Sequence, residues 1–136
     1  GLASDHTDRE LEAHSVALSK QICEKPVARE VWCFEDVKEH IERIEMRSWI
    51  QEDDGDEWVA YQEGTIASIR PLVDLIEGSG LLHAADTGKT SVMLCGTLGA
   101  KGGVRPAKRF KMALHDPVLD RTIEHAYEIK VLPEIS

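Results

Sequence analysis

The sequence predicts an α+β domain, a small three- or four-stranded, mostly antiparallel sheet with about four helices packed on one face. Three observations lead there. Apolar residues recur at helical spacing in segments 11–22, 37–44 and 66–76, while segments 90–98 and 104–114 have strand composition. A short glycine-rich run, Gly99 to Gly103, links those two segments as a hairpin connection would. In the second of them Phe110, Met112 and Leu114 alternate with cationic Arg105, Arg109 and Lys111, which wets one sheet face and favours α+β over a doubly wound parallel sheet. The 136 residues suit a single domain, 1–136, able to bury a core without a metal or disulfide staple.

The elements follow in order. Thr7-Asp8-Arg9-Glu10 has the form of a capping box and starts a helix carrying Leu11, Leu18 and Ile22, which stops before Pro26. Val27 to Phe34 alternates and is rich in β-branched and aromatic residues, so a strand is expected. Glu35 and Asp36 open a helix with Val37, Ile41 and Ile44 on its buried stripe, running to about Gln51. It ends at a solvated acidic turn, Glu52-Asp53-Asp54-Gly55-Asp56-Glu57. Trp58 to Gln62 reads equally as strand or helical turn. Ile66, Ile69, Leu72, Val73 and Ile76 return to the helical period, with Pro71 kinking or opening that helix and Gly78-Ser79-Gly80 ending it. Pro106 places the 104–114 strand at an edge or makes its start irregular. Asp116-Pro117 then has the form of a helix start, with Leu119, Ile123 and Ala126 inward and Asp120, Glu124 and Glu128 as an acidic stripe.

Several functions are excluded or disfavoured. No apolar run approaches the ~20 residues of a membrane span, and no secretory leader is recognisable. Cys23, Cys33 and Cys95 are odd in number and lack metal or redox spacing, which fits reduced thiols and a cytoplasmic setting. Gly88-Lys89-Thr90 has the ending of a phosphate-binding loop, but His83 stands where its first glycine belongs, and a helix precedes it. No nucleophile elbow or zinc spacing is present, and adjacent Glu124 and His125 would diverge by about 100° on a helix. No metal and no cofactor is expected. An enzyme would need a site assembled from distant residues such as His83, His115 and Cys95, so a non-catalytic role is favoured.

Charge placement is the strongest signal. Acids outnumber bases 25 to 16, for a net charge of −9. Yet from Thr87 to His115 there is no acid, while Lys89, Lys101, Arg105, Lys108, Arg109 and Lys111 supply six cations. The rest of the chain therefore carries −15. The sequence reads as an acidic body with one cationic hairpin, which either neutralises its neighbours or leaves two charged poles free for partners.

Two functional readings follow. The first is a small acidic inhibitor or adaptor, of the immunity-protein, antitoxin or anti-restriction kind, engaging a basic protein partner. Its surface would comprise Glu52, Asp53, Asp54, Asp56 and Glu57, with Trp49 or Trp58 as anchor. The alternative is a nucleic-acid or phosphorylated-ligand site on Lys101, Arg105, Lys108, Arg109 and Lys111. Trp32, between Val31 and Cys33, is expected in the core.

Overall fold

The computed structural model describes residues 1–55, 57–88 and 90–131. An antiparallel sheet of four strands in the order β2-β1-β3-β4 forms its centre. The strands are β1 (Glu45–Gln51), β2 (Val59–Thr65), β3 (Arg109–Asp116) and β4 (Arg121–Glu128). Among the described residues five short helices complete the α+β fold: α1 (Arg9–Glu12), α2 (Val16–Gln21), α3 (Phe34–Val37), α4 (Leu72–Ser79) and α5 (Leu81–Asp86). Tighter 3-10 turns occupy Lys38–Arg43 and Ile66–Ser68.

Register decides which side chains become core. Met46 pairs with Leu114, Ser48 with Met112 and Ile50 with Phe110. Leu114 in turn pairs with Ile123, and Phe110 with Tyr127. Side chains alternate across a strand, so these residues share one face. Leu2, Ala28, Val37 and Ile44 close over it and cluster with Met112, Leu114 and Ile123, and Trp32 and Ile41 pack against the cluster. On the opposite face Arg47, Glu124 and Glu128 are exposed. One wetted face is therefore correct, as is the inward placement of Phe110, Met112 and Leu114.

Several boundaries differ from the sequence expectation. The N-terminal helix is two helices, because Ser15 caps a new start by accepting the Leu18 amide at 3.3 Å. Asp8, not Thr7, caps the first, its carboxylate accepting the Glu10 and Leu11 amides at 3.0 and 2.9 Å. The expected strand at 27–34 amounts to one bridge, Ala3 to Val27, since its partner is only a short N-terminal segment.

The helix expected to reach Gln51 ends at the 3-10 turn, and residues 45–51 form β1. There Met46, Ser48 and Ile50 point inward at strand period. Buried Ser48 disguised the alternation; its hydroxyl is satisfied by Gln62 Oε1 at 2.8 Å. Residues 59–62 form the start of β2, with Trp58 just before it. After Pro71 the chain enters α4, which ends at Gly80 in the left-handed conformation.

No hairpin joins 90–98 to 104–114. Residues 90–107 contain no regular strand. Gly96 turns the chain at φ +136°, and Ile69 occupies the space a β-carbon there would need. Segment 97–101 instead covers the outer edge of β2, the Lys101 amide donating to the Tyr61 carbonyl at 2.7 Å. Pro106 precedes an irregular start to β3, which is a central strand.

The C-terminal helix is absent too. Asp116 Oδ1 accepts the Val118 and Leu119 amides at 3.0 and 3.2 Å, as an N-cap would. The chain then reverses at Asp120, whose φ is +46°, and returns as β4. Leu119, Ile123 and Ala126 consequently do not share an inner face: Ile123 is fully buried, while Leu119 and Ala126 are exposed. Glu124 and Glu128 lie on the wet face of β4, not on a helix.

Candidate functional site

The acidic turn connects β1 to β2, and Trp49 and Trp58 stand on its two sides. Gly55, at φ +88°, supplies the reversal. Trp49 pairs directly with Lys111 across β1 and β3. The Lys111 ammonium lies 4.7 Å from the centre of the Trp49 ring and 5.5 Å from that of Trp58, so both π-faces hold a cation. Trp49 is half-buried, and Trp58 is 37% exposed.

The chain brings its cationic segment onto this same end of the sheet. Arg105 Nε lies 2.6 Å from Glu52 Oε1, with the guanidinium 5.4 Å from the centre of the Tyr61 ring. Lys101 pairs with Glu63 at 2.5 Å, and Arg109 with Glu128 at 3.0 Å. Lys108 forms no ion pair among the described residues, though its amide donates to the Gln51 carbonyl at 2.8 Å. Arg105, Lys108 and Arg109 thus lie beside the acidic turn, which Arg105 partly neutralises through Glu52, whereas Lys101 sits along β2 on Glu63.

Two adjoining hollows lie where the turn meets the ends of β3 and β4. One, of about 310 Å³, is lined by Asp54, Lys108, Arg109, Glu128, Ile129 and Lys130. The other, of about 580 Å³, includes Glu52, Asp53, Pro106, Lys108, Lys130 and Val131. Glu57 is exposed, and neither Asp54 nor Glu57 forms an ion pair among the described residues. Asp56 and Lys89 lie outside the described residues. Thr87 and Gly88 form a turn after α5, so no helix follows to present amides to a phosphate.

A second polar centre escaped the sequence reading. Asp116, fully buried, accepts from His40 Nε2 at 2.9 Å and from Arg121 Nε at 3.3 Å. Burial pushes its pKa up, but the His40 hydrogen bond, the Leu119 and Val118 amides and the charge of His40 prevail and lower it to about 2. Arg121 also reaches Asp36 at 3.6 Å and lies over the Trp32 ring, 4.8 Å from its centre. Trp32 is therefore a half-buried lid on an ion cluster at the margin of the core. Seventy-six residues separate His40 from Asp116, and no spacing in the sequence announces their contact.

The N-terminus adds a third cluster. Tyr127 donates to Ser4 Oγ at 2.8 Å, and His6 Nδ1 lies 3.0 Å from the phenolic oxygen. Burial lowers the pKa of His6, aided by the charges of Lys25 and Arg9. The same desolvation raises that of Tyr127.

The structure does not join His83, His115 and Cys95 by hydrogen bonds. His115 meets Thr122 Oγ1 at 3.0 Å, and Cys95 lies against the Met93 carbonyl. Among the described residues no group of three His, Cys, Asp or Glu side chains has an arrangement that could hold a metal ion. No described helix is long and apolar enough to cross a membrane.

Comparison with curated proteins and with solved structures finds no match to this chain. A family model does match, over residues 1–127, and on that match the chain belongs to the family described as protein of unknown function (DUF2848).

Proposed function

We propose that this protein is a non-catalytic inhibitor or adaptor that engages a basic protein partner through the acidic end of the β1–β2 hairpin. The observation that carries this reading is the disposition of the cations. Lys101, Arg105 and Arg109 are held by Glu63, Glu52 and Glu128, and Lys111 lies over two tryptophan rings. The cationic segment is thereby largely engaged internally, whereas Asp54 and Glu57 remain exposed.

An exposed carboxylate cluster beside a tryptophan suits a lysine- or arginine-rich surface. The carboxylates accelerate encounter and set orientation, and the aromatic ring contributes contact area. Lys111 already demonstrates that the Trp49–Trp58 pair accommodates an ammonium group. Trp49 acts as support in this reading and Trp58, the more exposed ring, as the anchor; Asp53 belongs to the same acidic surface. The three free thiols fit a reducing, cytoplasmic setting. Titration with a lysine-rich peptide at low salt tests the proposal: binding that weakens on charge reversal at Asp54 and Glu57 supports it, and no binding contradicts it.

One observation favours a second reading. Lys108 and Lys130 both line the larger hollow and form no ion pair among the described residues. They supply the charge for a phosphorylated ligand or a nucleic-acid backbone, with Arg105 and Arg109 recruited only by releasing their carboxylates. Binding of single- or double-stranded oligonucleotides at ~50 mM salt, lost in Lys108→Glu, supports this reading, and no binding there overturns it.

A further inference from the structure

We propose that β4 is a self-association edge, and that two copies of this chain pair their β4 strands antiparallel about His125 to continue the sheet. The two outer strands of the sheet are unlike. The edge of β2 is covered by segment 97–101, through the Lys101 amide and through Gln62 Nε2, which donates to the Leu98 carbonyl at 2.5 Å. Among the described residues the edge of β4 has no such cover. The Ile129 amide donates to the Lys108 carbonyl at 2.8 Å, which fixes the alternation: odd residues of β4 bond to β3, and Thr122, Glu124, Ala126 and Glu128 turn their backbone groups outward. Among the described residues nothing hydrogen-bonds to those groups, and all four residues are exposed. An unprotected edge of this length is a template for another strand.

The side chains select the occupant and the register. A twofold axis perpendicular to the sheet pairs outward residues only with outward residues. One register alone maps all four onto one another, Thr122 opposite Glu128 and Glu124 opposite Ala126, and it forms about eight backbone hydrogen bonds. It opposes no like charges on the wet face. Beyond the strand ends it brings Asp120 of one copy to the level of Lys130 of the other, and Leu119 to Val131, both of which are exposed apolar residues. Moving the centre to Glu124 sets that carboxylate against itself. Moving it to Ala126 sets Glu124 against Glu128 twice. Like charges directly opposite are unfavourable, so the sequence itself disfavours both slips.

Sedimentation equilibrium on the whole chain, with two kinds of variant, tests this. The expected result is a reversible dimer. Ala126→Pro removes an outward donor at an edge position where the isolated fold tolerates proline, and yields a monomer with unchanged circular dichroism. Thr122→Glu places a carboxylate against Glu128 in both symmetric pairs and weakens dimerisation by about tenfold, while Thr122→Lys strengthens it; this pair of variants decides the matter should the proline variant fail to fold. A chain that stays monomeric throughout, or a dimer indifferent to the charge at position 122, overturns the proposal.

Discussion

Arg105 Nε meets Glu52 Oε1 at 2.6 Å, across fifty-three residues of sequence, and this pair ties the cationic segment to the acidic turn. Two regions that look like opposite poles in the sequence are neighbours at one end of the sheet. Arg105 also donates through Nη1 to the Lys101 and Gly103 carbonyls, at 2.8 and 3.3 Å, so it braces the loop that covers β2.

Arg105→Ala is therefore expected to destabilise the fold by about 1–2 kcal/mol, more than an exposed ion pair alone provides, because carbonyl and aromatic contacts go with it. Arg105→Lys, which keeps charge but loses the fork, should fall between the two. Urea denaturation at two ionic strengths checks both; a loss that vanishes entirely at high salt would show that the charge alone matters.

Asp116 anchors the turn between β3 and β4 and the 3-10 turn bearing His40. Asp116→Asn is expected to cost about 3 kcal/mol, since it leaves Arg121 without its buried counter-charge. The pH dependence has a definite sign. The folded pKa, about 2, lies below the ordinary 3.8, so the contribution is present above the ordinary value and is lost as pH falls through about 2. Acid unfolding of Asp116→Asn should accordingly be shallower over that window than that of the parent.

His6 sets a second pH dependence, at milder acidity. Its pKa is lowered by burial, so the unfolded chain takes up a proton first as pH drops below 6.5. Stability from the neutral ring is complete above 6.5 and declines below it, toward the lowered folded value. His6→Gln should flatten the midpoint-against-pH curve in this range. An unchanged slope would place the titration elsewhere.

Ile123 has no exposed surface and sits where β4, Leu2 and the α3 region meet. Ile123→Ala is expected to destabilise by about 3–4 kcal/mol through lost burial and the cavity left behind. Exposed Val92→Ala should differ little from the parent. Calorimetric melting of the two variants makes the comparison.

Much of the fold was legible where local chemistry and tertiary environment agree. Phe110, Met112 and Leu114 alternate and face the core; Pro71 and Gly80 bound α4; the acidic run is a solvated turn. Legibility failed where a local signal has two tertiary outcomes. Asp116-Pro117 offers the same side-chain cap to a helix or to a tight turn, and only pairing with the side of β3 that β1 does not occupy decides for β4. Residues 45–51 alternate, but buried Ser48 and outward-facing, half-buried Trp49 invert the usual polarity of such a pattern. The charge layout of the candidate site was legible residue by residue, whereas its pairing was not. Arg105–Glu52 and His40–Asp116 are contacts between distant segments, and neither has a spacing signature.

The most direct measurement of the binding proposal is calorimetric titration of a lysine-rich peptide, at low and moderate salt, into three proteins. These are the parent, Asp54→Lys/Glu57→Lys, and a control with the same charge change on exposed α4 residues, Asp74→Lys/Glu77→Lys. The account predicts salt-sensitive binding to the parent, retained in the control and weakened by about tenfold or more in the turn variant. Equal loss in both variants would reduce the effect to net charge, and no loss in the turn variant would contradict the account outright.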